Sequence, residues 1–240
     1  LEHFGSLDHA PDTKPLGGNR AEVETLPVVA NHDLELGLVL PQFDLQTCAE
    51  LCGQREGAEI SELLERLEFG HAFLQRLDEG GRWYRYHQLF REFLLNLAMV
   101  KDRQRVIALR LRAAGMAEAR GQVDVAVSQY LAAGSMSEAA QLLVRHGVRL
   151  LRAGRVEALH RWLVQLEPQL RERPELRFLH GLVLHQRGRL SEAVAALHEA
   201  RSGAAAAGLS DIACAAVVDM AAIARSQGDY LRAQEWSEEA

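Results

Sequence analysis

The sequence predicts a mainly α chain: a small module of three helices plus a β-hairpin, the layout of a winged helix, followed by a superhelix of αα-hairpins to the end. Three observations predict it. Two β-like runs joined by Asp-Glu-Gly-Gly follow three short helix candidates. From Gln88 onward the apolar pattern is helical throughout. Within that stretch a glycine recurs at steps of 33, 34 and 40 residues, at Gly121, Gly154, Gly188 and Gly228.

Residues 1–29 are rich in Gly, Pro, Asp and Asn with little periodicity, and read as a linker or poorly ordered segment. The winged-helix module is placed at 30–87. Its helix candidates are ANHDLELGLVL, then DLQTCAELCG with Asp44 as N-cap, then AEISELLERLEFG. HAFLQRL and RWYRYH supply the hairpin, because alternating aromatic segments around a Gly-Gly turn favour antiparallel pairing. A connecting helical arm is assigned to 88–112, and the repeats to 113–240, incomplete at the C-terminus.

The repeat has a physical logic. Each glycine ends a helix, because it tolerates the left-handed conformation there. Five residues on stands Ala126, Leu159, Ala193 or Ala233, and seven residues before it stands Ala114, Gly147, Gly181 or Ala221. Small side chains on both helices let the two backbones approach. Leu159 is the exception, so the second hairpin is expected to pack more loosely. One αα-hairpin cannot bury its apolar face alone, so neighbours stack. The unit resembles the tetratricopeptide repeat, most closely in LHQRGRLSEAVAALHEA at 184–200.

Composition narrows the function. With 240 residues, 48% of them hydrophobic, the chain can bury a sizeable core. A net charge of −6 argues against a general nucleic-acid binder. The expected recognition helix, EISELLERLE, sets Glu59, Glu62, Glu65 and Glu68 against Arg66, the wrong sign for phosphate. Three cysteines fit a reducing, cytoplasmic setting. Cys48 and Cys52 share a helix face, yet nothing nearby completes a zinc site, so core packing is expected and no metal. No apolar run is long enough to span a bilayer, so no membrane partner is expected. No catalytic motif is present, and no enzyme is expected within these residues. Arg145, Arg149, Arg152 and Arg155, with Arg161 beyond them, form a basic cluster, a candidate partner or effector surface.

Taken together, FLQRLDEGGRWYRYHQLFREFLL and LRAAGMAEARGQVDVAVSQYLAAGSMSEAAQLL resemble the MalT-type large ATP-binding LuxR regulators, of the STAND class of signal-transducing NTPases. The resemblance runs from Asp33 to Ala240. It implies a central fragment that integrates signals for an ATP-dependent transcription activator. The superhelix would sense a small-molecule effector and mediate self-association. The chain starts at Leu1, carries no GxxxxGK[ST] loop and stops within a repeat. No cofactor is therefore expected in this fragment, ATP or ADP would belong to the full-length protein, and DNA would be bound only by a further C-terminal domain. The resemblance also implies a role for His87: its place after the hairpin matches a histidine that contacts the β-phosphate of ADP in STAND proteins, although Gln88 stands where aspartate is usual. The alternative is a tetratricopeptide-like scaffold for protein docking, without nucleotide control.

Overall fold

The computed structural model describes residues 39–40, 42–52, 74–78 and 83–238. The predicted segment 1–29, most of the first helix and all of the third lie outside these residues, as do the side chains of Cys48 and Cys52.

The N-terminal module holds a three-stranded antiparallel sheet in the order β1-β3-β2: β1 is Phe43–Asp44, β2 is Leu74–Arg76 and β3 is Trp83–Tyr86. Strands β2 and β3 are the predicted hairpin, with Gln75 opposite Arg85. The Asp78 carboxylate closes its turn by accepting from the Trp83 N–H at 2.8 Å. Strand β1 pairs Phe43 with Tyr84 and was not expected, since two residues carry no readable period. Asp44 does double duty. It ends β1, and its Oδ1 accepts from the Thr47 N–H at 2.6 Å, capping helix α1 (Leu45–Cys52) as predicted.

Alternation along β3 turns Tyr84 and Tyr86 inward and leaves Trp83 and Arg85 outside. Phe43 stacks on Tyr84 with ring centroids 6.2 Å apart, and Tyr86 meets Phe90 edge-on at 5.9 Å. The core they start continues through Leu94, Ala98 and Val106 to Ala113. So α2 (Gln88–Lys101) and the first half of α3 (Arg103–Ala119) complete the winged-helix core. The segment 88–112, expected as a connecting arm, is part of that module's packing. Its inward residues recur at helical spacing, which a sequence cannot assign to one neighbour or another.

Four αα-hairpins follow: α3 with α4 (Val123–Ala133), α5 (Met136–Arg152) with α6 (Val156–Gln165), α8 (Pro174–Gln186) with α9 (Leu190–Ala206), and α10 (Ser210–Ser226) with α11 (Tyr230–Glu238). A short helix, α7 (Glu167–Glu172), lies between the second and third. Pro174 opens α8, where its missing N–H costs nothing, and forces extended backbone on Arg173.

The turn glycines Gly121, Gly154, Gly188 and Gly228 all have φ between 71° and 79°. At each, two N–H groups reach back to otherwise orphaned carbonyls; Gln122 donates to Ala117 and Gly121 to Glu118. Gly134 and Gly208 do the same where second helices end, two turns the glycine spacing did not single out. They also explain the step of 40 residues. Twenty residues separate Gly188 from Gly208, against thirteen between Gly121 and Gly134, because α9 has 17 residues and α4 has 11.

Candidate functional site

Three regions bear on function: the end of the hairpin, the junction between module and repeats, and the contact between the second and third hairpins.

His87 is the N-cap residue of α2, with φ −55° and ψ 137°. Its carbonyl accepts from the Arg91 N–H at 2.9 Å, and its exposed side chain makes no capping hydrogen bond. The imidazole lines an open depression with Gln75, Arg85, Tyr86, Gln88 and Arg91. Arg85 Nη2 donates to Gln75 Oε1 at 3.0 Å. No carboxylate lines this depression among the described residues. Two guanidinium groups, an imidazole and a helix N-terminus on one concave surface can hold an anion.

The module is clamped to the first hairpin. Arg120, at the end of α3, donates to Thr47 Oγ1 at 3.0 Å and pairs with the Glu50 carboxylate at 2.6 Å, both on α1. Gln129 on α4 is buried and donates to the Val39 carbonyl at 2.6 Å, while its own Oε1 accepts from Arg110 at 3.2 Å. Beside the clamp lies a small cavity of about 110 Å³, lined by Leu51, Trp83, Ala113, Met116 and Arg120 among others. None of these partners is within forty residues of the other in sequence except Arg110 and Gln129, so no local pattern announces the clamp.

The basic cluster is divided. Arg145 pairs with Glu118 at 3.4 Å and Arg155 with Asp124 at 3.3 Å, each tying the second hairpin to the first. Arg149 and Arg152 stand exposed in the last turn of α5, where cations suit the helix dipole. Arg161 is exposed on α6. Two of the four candidate surface arginines are thus engaged in packing between hairpins.

The repeat positions lie inside. Ala114, Ala126, Gly147, Leu159, Gly181, Ala193, Ala221 and Ala233 are all buried. A Cβ on Gly181 would come within 2.7 Å of Leu197 Cγ and 3.4 Å of the Ala193 carbonyl, so the α8 and α9 backbones need a glycine there.

A histidine pair was not singled out by the sequence. His160 on α6 and His180 on α8 stack with centroids 6.4 Å apart and an interplanar angle of 15°. Burial lowers both pKa values below the ordinary histidine range, and the flanking Arg187 and Arg189 add to this at His160. His160 Nδ1 is buried without a hydrogen-bond partner. Among the described residues no group of three or more His, Cys, Asp or Glu side chains could hold a metal ion.

A winged-helix module thus runs directly into tetratricopeptide-like αα-hairpins. The comparisons make this particular. Residues 38–106 match the MalT winged helix domain family. The HTH-type transcriptional regulator MalT of Klebsiella pneumoniae is 30% identical over 130 residues, covering 54% of this chain and 14% of that protein. MalT of Yersinia pestis is 29% identical over 163 residues, 68% of this chain and 18% of that protein. The crystal structure of a STAND protein with a tetratricopeptide repeat sensor, from Pyrococcus horikoshii, superimposes with a TM-score of 0.58 at 14% identity, over 96% of this chain and 34% of that one. The chain therefore carries a MalT-type winged helix and the repeats that follow it, and it spans under a fifth of the curated relatives it matches.

Proposed function

We propose that this chain is the signal-integrating segment of an ATP-dependent, LuxR-type transcription activator of the MalT type. The observation that carries the reading is the covalent order of its parts: a MalT winged helix feeding without a linker into tetratricopeptide-like repeats, with one continuous helix, α3, shared by both. A shift in the repeats would reach the winged helix through α3 and the Arg120 clamp. The superhelix serves effector sensing and self-association. Leu111, Val144, Val148 and Val218 support this role, since all four stand exposed on the first helices of their hairpins. No helix among the described residues is long and apolar enough to cross a membrane, compatible with work in the cytoplasm.

Within this reading His87 donates a hydrogen bond to a phosphate of resting-state ADP, supplied by a nucleotide-binding domain of the full-length protein. Its place in the depression with Arg85 and Arg91 supports that contact. The test is His87→Ala in the full-length protein. Loss of a charge-assisted hydrogen bond should weaken ADP binding by roughly 1.5–3 kcal/mol and raise effector-independent transcription, because the mutation penalises only the ADP-bound state. Unchanged ADP affinity with lower thermal stability would make His87 a structural residue of the junction.

A further inference from the structure

Helix α3 carries a glycine that nothing in its surroundings requires. Gly115 lies in the interior of the helix and is exposed. A Cβ added there would meet no atom within 4 Å. Every other described glycine has a reason to be one. Those at the turns hold positive φ. Gly147, Gly181 and Gly203 are closely approached by Leu179, Leu197 and Pro174. An exposed glycine inside a helix weakens it, because its backbone loses the most freedom on becoming helical. Gly115 therefore costs stability without improving packing.

Its position gives it a use. On α3 the buried residues of the winged-helix core end at Ala113, and those of the first repeat core begin at Ala117. Gly115 stands between the two. Among the described residues only Val125, partly buried, packs against both cores. Beside Gly115 the two bodies leave space unfilled. The cavity of about 110 Å³ is bounded on α3 by Ala113, Met116 and Ala117, and by Leu51 and Trp83 on the module. Polar ties span the same point: Arg120 reaches Thr47 and Glu50, and Gln129 reaches Val39 and Arg110. The Arg120 and Glu50 side chains are 37% and 42% exposed, so water can replace their ion pair at little cost.

We propose that Gly115 is a hinge on which the superhelix swings against the winged helix, and that the Arg120 clamp is the latch that holds α3 straight. Bending α3 there gives up helical backbone at residue 115, and glycine loses least by leaving it. The cavity gives Met116 room to move without collision. With the latch closed, winged helix and repeats move as one body. With Arg120 released, they turn independently about Gly115. The device goes beyond the signal-integrating reading and holds whatever signal the repeats receive.

The experiment uses the 240-residue chain with spin labels on ketone-bearing residues that replace Val100 on α2 and Val164 on α6, exposed to 87% and 58%. Pulsed dipolar spectroscopy reads the distance between them, across the hinge. A second distance, from the bent form, should accompany that of the clamped form. Arg120→Ala should raise its population by about two- to fivefold, the range an exposed ion pair supplies. Gly115→Ala should lower it by about two- to fivefold, because alanine favours the straight helix by that factor. Gly115→Ala should also raise the melting temperature by about 1–4 °C, since the new methyl meets nothing within 4 Å. Helix propensity alone would give the higher melting temperature; the distance change needs the hinge. A single distance shared by wild type and Arg120→Ala would overturn the proposal. So would a second population that Gly115→Ala leaves unchanged, which would put the joint elsewhere. A lower melting temperature in Gly115→Ala would also overturn it, by showing that packing requires the glycine.

Discussion

The α5/α6 and α8/α9 hairpins share a pattern and pack differently. Both turn on a left-handed glycine, Gly154 or Gly188, and both carry a glycine seven residues earlier. In the third hairpin that glycine, Gly181, faces Leu197 and the Ala193 carbonyl on its own partner helix, and α8 and α9 run in close contact. In the second hairpin the counterpart of Ala193 is Leu159, fully buried, and α5 and α6 approach far less closely. There Gly147 faces Leu179 on α8 of the next hairpin, whose Cδ2 occupies the space a Cβ would need. A small residue at one repeat position thus faces a different neighbour in each hairpin. Leucine at 159 keeps α6 away, and the vacated approach goes to α8.

The largest effect should come from Leu159→Ala, which restores the residue usual at that position. If Leu159 is a spacer that α6 can do without, stability should hold or rise. We expect the opposite. Its side chain is fully buried in the second core, so truncation leaves a cavity and costs about 2–5 kcal/mol, read as a lower denaturation midpoint with unchanged slope.

Next in size is Gly181→Leu, expected to cost roughly 1–3 kcal/mol or more by overpacking α8 against α9. A thermal melt that does not move would mean the repeat register is wrong. A double-mutant cycle sharpens the contrast between hairpins. Gly147→Ala should couple to Leu179→Ala, its contact across hairpins, and be additive with Leu159→Ala. Coupling to Leu159 in its place would erase the distinction drawn here.

The smallest effect is a pH dependence at the seam between the two hairpins. His160 and His180 have folded-state pKa values below the ordinary value of 6.5, first through burial. Both forms of the chain carry them neutral well above pH 6.5, so no penalty exists there. As pH falls through 6.5 the unfolded chain takes up protons first, and stability declines until the lowered folded values are passed. Arg177, Arg187 and Arg189 face the pair and add repulsion, while Glu157 and Glu192 oppose it. Asp219, raised by burial, acts with opposite sign and at lower pH, nearer its ordinary 3.8. Melting temperature should therefore drop between pH 7.5 and about pH 5, and His160→Asn with His180→Asn should flatten that drop. An identical slope in the double variant would take the histidines out of the account.

The sequence by itself determined the features that are local. A left-handed glycine needs only its own missing Cβ and the two N–H groups beside it, so Gly121, Gly154, Gly188 and Gly228 could be read as turns without knowing any neighbour. The hairpin before His87 and the Asp44 cap are local in the same sense. Tertiary structure decided everything that depends on which surfaces meet. It assigned 88–112 to the winged-helix core, drew Arg145 and Arg155 into ion pairs with the preceding hairpin, and stacked His160 on His180 from different helices. It also gave Gly147 and Gly181 different partners from the same repeat position. The reason is physical: helical periodicity says which residues share a face, and only packing, settled by the volumes of all the neighbours at once, says what that face touches.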